Sequence, residues 1–216
     1  MRLIQALPGA KAIWEDQEET QKQITAWDKQ TTFARETTIL DLIKDIPKKS
    51  VLDLGCGSGR WYQLVAPRMY VGVDDSFHMV SVAQDRLPQF VFHNMRLEDF
   101  KPTRKYDLAL LIDVIIHCEY PETLLRGILK NMGGYVDYLI FTYYIHDYGD
   151  ERYLEFGSPH GISVRSVEEQ PIINAVGKYK WERIGIHDIA DPAHALKNLR
   201  LRTELIRKRR RGMPRA

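Results

Sequence analysis

Three glycines at alternate positions, Gly55, Gly57 and Gly59, follow the apolar run Val51-Leu52-Asp53-Leu54 and precede Arg60, where a helical pattern begins. A strand that turns through such a loop into a helix brings bare backbone close to a ligand and makes N–H groups available to it. Fifteen residues past Gly59, a second apolar run, Tyr70-Val71-Gly72-Val73, ends in Asp74. That puts a carboxylate at the tip of the neighbouring strand, where it can accept both hydroxyls of a ribose. Together the two stretches describe an adenosine-binding edge. A dinucleotide fingerprint would need its third glycine at position 60, which is Arg60, so nicotinamide chemistry is disfavoured.

The elements that must hold these residues alternate between strand and helix patterns, which predicts right-handed crossovers and a largely parallel sheet. Strands are expected over 50–54, 69–74, 90–94, 107–113, 135–145, 181–187 and 198–208. For the last, the alternation of Leu199, Leu201, Thr203 and Leu205 favours a strand, although helical spacing also fits. Helices are expected over 59–66 and 76–86, and from Pro121 to Asn131, where Gly133-Gly134 follows. Residues 11–45 carry helical spacing of Trp14, Ile24, Trp27, Phe33, Ile39, Leu42 and Ile43, and predict one or two helices closed by Pro47. From His146 to Arg165 the pattern dissolves into a long polar loop bearing Gly and Pro. Ser166-Val167-Glu168-Glu169 then reads as a capping box opening a helix to Val176.

A chain of 216 residues fits one domain, and 44% hydrophobic with 28% charged residues is ordinary for a globular protein. No apolar run approaches the ~20 residues needed to span a bilayer, and the start of the chain is too soon broken by Pro8 to be a secretory signal. A cytoplasmic protein with no membrane partner is the expectation. The only cysteines, Cys56 and Cys118, support neither a disulfide framework nor a metal site and read as free thiols. The net charge of +2 is uneven: residues 197–216 carry nine Lys/Arg against Glu204, leaving the rest of the chain acidic. Such an end is either solvated or attracts phosphate.

Asp53-Leu54-Gly55-Cys56-Gly57-Ser58-Gly59, then Gly72-Val73-Asp74-Asp75-Ser76 with Met79, then Tyr106-Asp107-Leu108 leading a strand that ends near Asp113, with His117 beyond it, resemble the class I S-adenosylmethionine-dependent methyltransferases. The resemblance covers roughly residues 30–190. It implies an α/β fold with a single doubly wound, seven-stranded, mostly parallel sheet of the Rossmann-like kind, the last strand antiparallel. The implied organisation is an N-terminal helical lid over 1–46, a cofactor-binding core over 47–208 and a basic tail over 209–216.

By the same resemblance, Gly55, Cys56, Gly57 and Gly59 contact the methionine part of S-adenosylmethionine through backbone, and Asp53 orients the loop or the ligand's amino group. Asp74 takes the ribose hydroxyls. Asn94 stands where the family commonly has an acid for the adenine amino group, and its amide oxygen can also accept that bond. Met79 and Met95 flank the adenine, with Asp75, Arg96 and Asp113 completing the set. Trp27 or Phe33 is a candidate lid aromatic facing substrate.

Methyl transfer from a sulfonium is an in-line displacement in which positive charge disappears, so most of the rate can come from alignment. A base is needed only where the acceptor must lose a proton, and histidine suits that role near neutral pH. His117, just past the fourth strand, is the first candidate. Tyr144 and His146, which share one face of the fifth strand, are the others. No metal is expected. No Asn/Asp-Pro-Pro-Tyr motif occurs, which argues against the amino-methylating DNA enzymes. A small-molecule acceptor methylated on nitrogen or oxygen is the leading expectation. RNA (tRNA or rRNA) engaged by the basic tail is the alternative, and a non-catalytic S-adenosylmethionine-binding regulator is the third.

Overall fold

The computed structural model describes residues 7–28, 34–146, 153–157, 163–190 and 200–209. Among them are β1 (Ser50–Leu54), β2 (Met69–Asp74), β3 (Val91–Asn94), β4 (Tyr106–Leu111) and β5 (Val136–Ile145), which lie in the order β3-β2-β1-β4-β5 and run parallel. Their near-continuous apolar runs follow from burial on both faces. On one face pack α3 (Ala34–Leu42), α4 (Arg60–Val65) and α5 (Phe77–Arg86), through Ile39, Trp61, Val65, Val80 and Ala83. On the other pack α6 (Pro121–Met132) and α7 (Glu169–Lys178), through Leu125, Ile128, Leu129, Ile172 and Val176. The sheet is therefore doubly wound. Two further helices, α1 (Pro8–Glu15) and α2 (Gln17–Asp28), precede α3, so the N-terminal segment supplies three helices where one or two were expected. Pro8 opens α1, where a missing N–H costs nothing.

The sheet continues from β5 to β9 (Arg200–Lys208) and from β9 to β8 (Trp181–Ala190), both contacts antiparallel. All seven expected strands are thus present, and 200–208 is a strand rather than a helix. Two more come from the stretch read as a loop: β6 (Tyr153–Gly157) and β7 (Ser163–Val167) form an antiparallel pair. The reason lies in β5, which pairs with β4 only as far as Phe141 but with β9 as far as Ile145. The edge left open beyond β4 is taken by β7, with Tyr144 opposite Ser166 and Ile145 opposite Val167. The β6–β7 pair therefore stands over the C-terminal end of β4. The expected capping box is corrected as well. Ser166 belongs to β7 and hydrogen-bonds His146, while the N-cap of α7 is Glu168 with no side-chain cap bond.

Much of the basic C-terminal charge is sheet. Arg202 grips Asp188, Arg207 pairs with Glu182, and Lys208 donates to the Tyr179 carbonyl at 2.6 Å. The end of the expected tail, 210–216, lies outside the described residues. Among the described residues no helix is long and apolar enough to cross a membrane.

Candidate active site

The glycine loop is left-handed at all three glycines, with φ of 77° at Gly55, 50° at Gly57 and 77° at Gly59. At two of them space is also denied: a Cβ on Gly55 would lie 2.2 Å from Val114 Cγ2, and one on Gly59 2.9 Å from Leu87 Cδ1. Four of the loop's own N–H groups are already committed. Gly55 and Cys56 N–H donate to the Val73 carbonyl at 2.7 and 3.1 Å, Gly59 N–H to the Cys56 carbonyl at 3.0 Å, and Gly57 N–H to Asp74 Oδ2 at 2.9 Å. Close approach is what those four residues offer a ligand.

Above the loop lies a cavity of about 230 Å³ at the C-terminal ends of β1, β2 and β4, where an open parallel sheet places its ligands. Of the residues singled out by sequence, Gly55, Cys56, Gly57, Asp74, Asp75, Met79, Arg96, Asp113 and His117 are in its wall. Asp74 Oδ1 accepts the Ser76 N–H at 2.9 Å, matching the Gly57 bond to the other oxygen. Burial pushes its carboxyl up to about 6 against those two bonds. Asp113 holds a left-handed φ of 57°, sustained by Thr142: Asp113 N–H donates to Thr142 Oγ1 at 2.8 Å, and that hydroxyl donates to Asp113 Oδ1 at 3.1 Å. The thiols of Cys56 and Cys118 also line the cavity, and burial raises both, Cys118 to about 12. A thiolate nucleophile is therefore disfavoured here.

Six of the sequence-chosen residues are not in that wall. Asp53 is sealed and accepts the Tyr70 hydroxyl, with burial pushing its carboxyl up to about 7. Gly59 is buried under the loop. Asn94 Nδ2 donates to the carbonyls of Asp74 and Asp75 at 3.2 and 3.0 Å, which pins the turn after β2. Met95 and Tyr144 pack against the α6 face of the core. His146 is buried, with Nδ1 and Ser166 Oγ hydrogen-bonded at 2.8 Å, so it ties β7 to the end of β5. The side chain of Trp27 and the whole of Phe33 lie outside the described residues.

Several wall residues went unread in the sequence. Ser76 had a local signal, as the N-cap of α5 directly after Asp75. Trp14 and Glu36 had none, since they come from α1 and α3. Helix α1 is bonded to both banks of the cavity. Leu7 N–H donates to the His117 carbonyl at 2.7 Å, and Ser76 Oγ–H donates to the Trp14 carbonyl at 3.0 Å. The Trp14 ring meets the His117 ring edge-on, with centroids 6.2 Å apart and planes at 75°.

A methyltransferase-domain family matches residues 26–147, more than half of the chain. The chain belongs to this family, of the class I S-adenosylmethionine-dependent type. Trans-aconitate 2-methyltransferase of Agrobacterium fabrum (strain C58 / ATCC 33970) is 39% identical over 75 residues, which are 32% of this chain and 29% of that enzyme. The tRNA (carboxymethyluridine(34)-5-O)-methyltransferase of Schizosaccharomyces pombe (strain 972 / ATCC 24843) is 32% identical over 88 residues, 40% of this chain and 37% of that enzyme. These matches span about a third of either relative. Among solved structures, an S-adenosylmethionine-dependent methyltransferase from Clostridium acetobutylicum ATCC 824 superposes with a TM-score of 0.65 at 14% identity, covering 87% of this chain and 98% of that one. The 1,6-didemethyltoxoflavin-N1-methyltransferase of Burkholderia thailandensis gives 0.62 at 15% identity, covering 97% and 94%. Those likenesses establish the shared fold.

S-adenosylmethionine is the cofactor of this family, and the wall fits it. Asp74 Oδ1 accepts the Ser76 N–H and Oδ2 the Gly57 N–H, and a carboxylate with about four acceptor sites keeps capacity for ribose hydroxyls. The bare loop beside it leaves room for the methionine part.

Proposed function

We infer that this chain transfers a methyl group from S-adenosylmethionine to a nitrogen or oxygen of a small-molecule acceptor. What supports a small acceptor is the roof: α1 crosses the cavity and is hydrogen-bonded on both sides, through Leu7 to His117 and through Ser76 to Trp14. A polymer would need that roof removed. When bound, the cofactor supplies an electrophilic methyl on a sulfonium. Asp74 holds the ribose, the Gly55-Cys56-Gly57 edge admits the amino-acid part, and Met79 and Arg96 border the adenine. The carboxyls of Asp74, Asp75 and Asp113 in one wall complement a cationic ligand.

His117 is the group placed to take a proton from an acceptor that must lose one, with its ring braced by Trp14. His146 and Tyr144, which are not in the cavity wall, position the β6–β7 pair over β4 rather than touch the acceptor. A tRNA acceptor is the second reading, favoured by the Schizosaccharomyces pombe relative. Its other support, the basic end, is partly tied into the sheet, where Arg202 and Arg207 pair with Asp188 and Glu182.

The test is transfer of a labelled methyl group to total small-metabolite extract and total RNA side by side. Label in the metabolite fraction is expected. Label in RNA alone would replace this reading with the second. Label in neither, with cofactor binding intact, would point to a regulator.

A further inference from the structure

The parallel strands begin at the end of the sheet opposite the cavity, and cations stand at their starts. Lys49 precedes β1, Arg68 precedes β2, Lys105 precedes β4, and at the same end Lys180 precedes β8; all four are exposed. The backbone keeps them in line. Met69 N–H donates to the Lys49 carbonyl at 3.0 Å, Tyr106 N–H to the Tyr135 carbonyl at 2.8 Å, and Arg209 N–H to the Lys180 carbonyl at 3.0 Å. Between β1 and β4, Ser50 N–H donates to Asp107 Oδ2 and Asp107 N–H to Ser50 Oγ, both at 2.9 Å. With neighbouring strands about 4.8 Å apart, the order β2-β1-β4-β5-β9-β8 spreads the four cations along about 24 Å of the sheet's end.

These are not the cations that hold the fold. A lysine near a helix C-terminus can bond the last carbonyls, and Lys48 does so for Ile43 and Lys44 at 3.1 Å, as Lys208 does for Tyr179. Lys49, Arg68, Lys105 and Lys180 make no ion pair among the described residues. Two carboxylates beside them are committed, Asp107 to Ser50 and Glu182 to Arg207. Asp45 and Asp137 are exposed there, but so are Lys44, Arg104, Lys130 and Lys178, and cations prevail. Like charges set side by side repel one another, a cost that an arriving polyanion reverses. The row is linear, as a phosphate backbone is, and Tyr135 within it is 40% exposed, a ring on which a base can stack. A membrane surface would instead want an exposed apolar band, whereas Phe77 and Tyr120 open helices at the cavity end and Ile184 and Ile186 lie along β8.

We propose that this end of the sheet is a docking surface for the phosphate backbone of a single-stranded nucleic acid, with Lys49, Arg68, Lys105 and Lys180 as its phosphate contacts. The surface is separate from the cavity: β1, five residues long, sets Lys49 about 17 Å from the glycine loop. Docking there leaves α1 in place over the cavity, so it goes beyond the reading of the acceptor and holds whichever acceptor is methylated.

The test is fluorescence anisotropy with an end-labelled single-stranded RNA of about sixteen nucleotides, between about 50 and 200 mM potassium chloride. Four phosphate contacts predict a slope of log affinity on log salt of about −3, and hence a loss of about fiftyfold over that range. Lys49→Gln/Lys105→Gln is expected to bind at least about tenfold more weakly at the low-salt end and to flatten the slope by about 1.4. Gln21→Glu/Gln170→Glu makes the same change in net charge at exposed positions of α2 and α7, away from the row, and should stay within about threefold of wild type. S-adenosylhomocysteine affinity should stay within about twofold in both variants.

The proposal is overturned if the wild-type protein binds no RNA at about 50 mM salt, or if the two double variants lose affinity equally. An unaltered slope in Lys49→Gln/Lys105→Gln overturns it as well, and passes the binding to residues 210–216. Binding to vesicles of phosphatidylcholine with about 30% phosphatidylserine, in place of RNA, would overturn it by making the surface a membrane face.

Discussion

Asp53 and Glu204 are both sealed from solvent, 1% and 0% exposed, but only Glu204 has an arginine. At the glycine-loop end of the sheet, Asp53 has the Tyr70 hydroxyl and Asp74 has two backbone N–H groups, and burial raises both carboxyls. At the β5–β9–β8 end, Glu204 accepts from the Tyr143 hydroxyl and from Arg183. Arg183 also bonds Glu169 at 2.9 Å, and Arg202 holds Asp188 through two N–H bonds of 2.6 Å. Arg202 draws Asp188 below the usual carboxylate range. Burial pushes Glu169 up, but Arg183 and Arg202 outweigh it and draw it down. The pattern separates two uses of buried charge. Along the β5–β9–β8 edge the acids meet guanidiniums; beside the glycine loop Asp53 and Asp74 have neutral donors, and burial leaves both carboxyls raised.

That contrast can be broken most forcefully at Arg183. Replacing it with Met strands Glu204 and is expected to cost about 3–5 kcal/mol. The melting temperature should fall on the order of 10 °C, with S-adenosylhomocysteine affinity retained in the folded protein. An unchanged melting curve would show that the network is ornamental.

Next comes Asp53. Burial pushes its carboxyl up to about 7 from the ordinary 3.8, so the stability it confers is fully present below about pH 4 and is lost as pH rises through 7. Denaturant unfolding of the ligand-free protein at pH 5 and pH 8 should show Asp53→Asn removing up to about 2.6 kcal/mol of that decline. Equal slopes in both proteins would mean that Asp53 is not left under-paired.

The smallest effect is expected at Arg207, whose side chain is 39% exposed beside Glu182. Arg207→Gln should leave thermal stability unchanged within error, as exposed pairs usually do. A clear loss there would blur the distinction between the two ends.

The cofactor half was legible because its pieces are local. β1, the three glycines, β2 and Asp74 lie within 25 residues, and each strand is an unbroken apolar run. The acceptor half is assembled from afar. Tyr153–Gly157 and Ser163–Val167 are short and flanked by Gly and Pro, and they become strands only because β5 outruns β4 and leaves an edge. Ser166 followed by Glu169 mimics a capping box, but tertiary pairing commits the serine to His146 instead. Trp14 and Glu36 reach the cavity from helices whose docking no periodicity announces. Asp53 and Asn94 entered the expected binding set by position alone; the structure adds that Asp53 accepts the Tyr70 hydroxyl and that Asn94 Nδ2 pins the turn after β2.

The central claim is that Asp74 receives the ribose of an adenosyl ligand. Calorimetric titration of S-adenosylhomocysteine into wild type and Asp74→Ala, each at pH 5 and pH 8, tests it directly. The account predicts at least about tenfold weaker binding in the variant at pH 8. It also predicts wild-type affinity that falls as pH drops through about 6, a dependence the variant lacks. Equal affinities in the two proteins at pH 8 would contradict it.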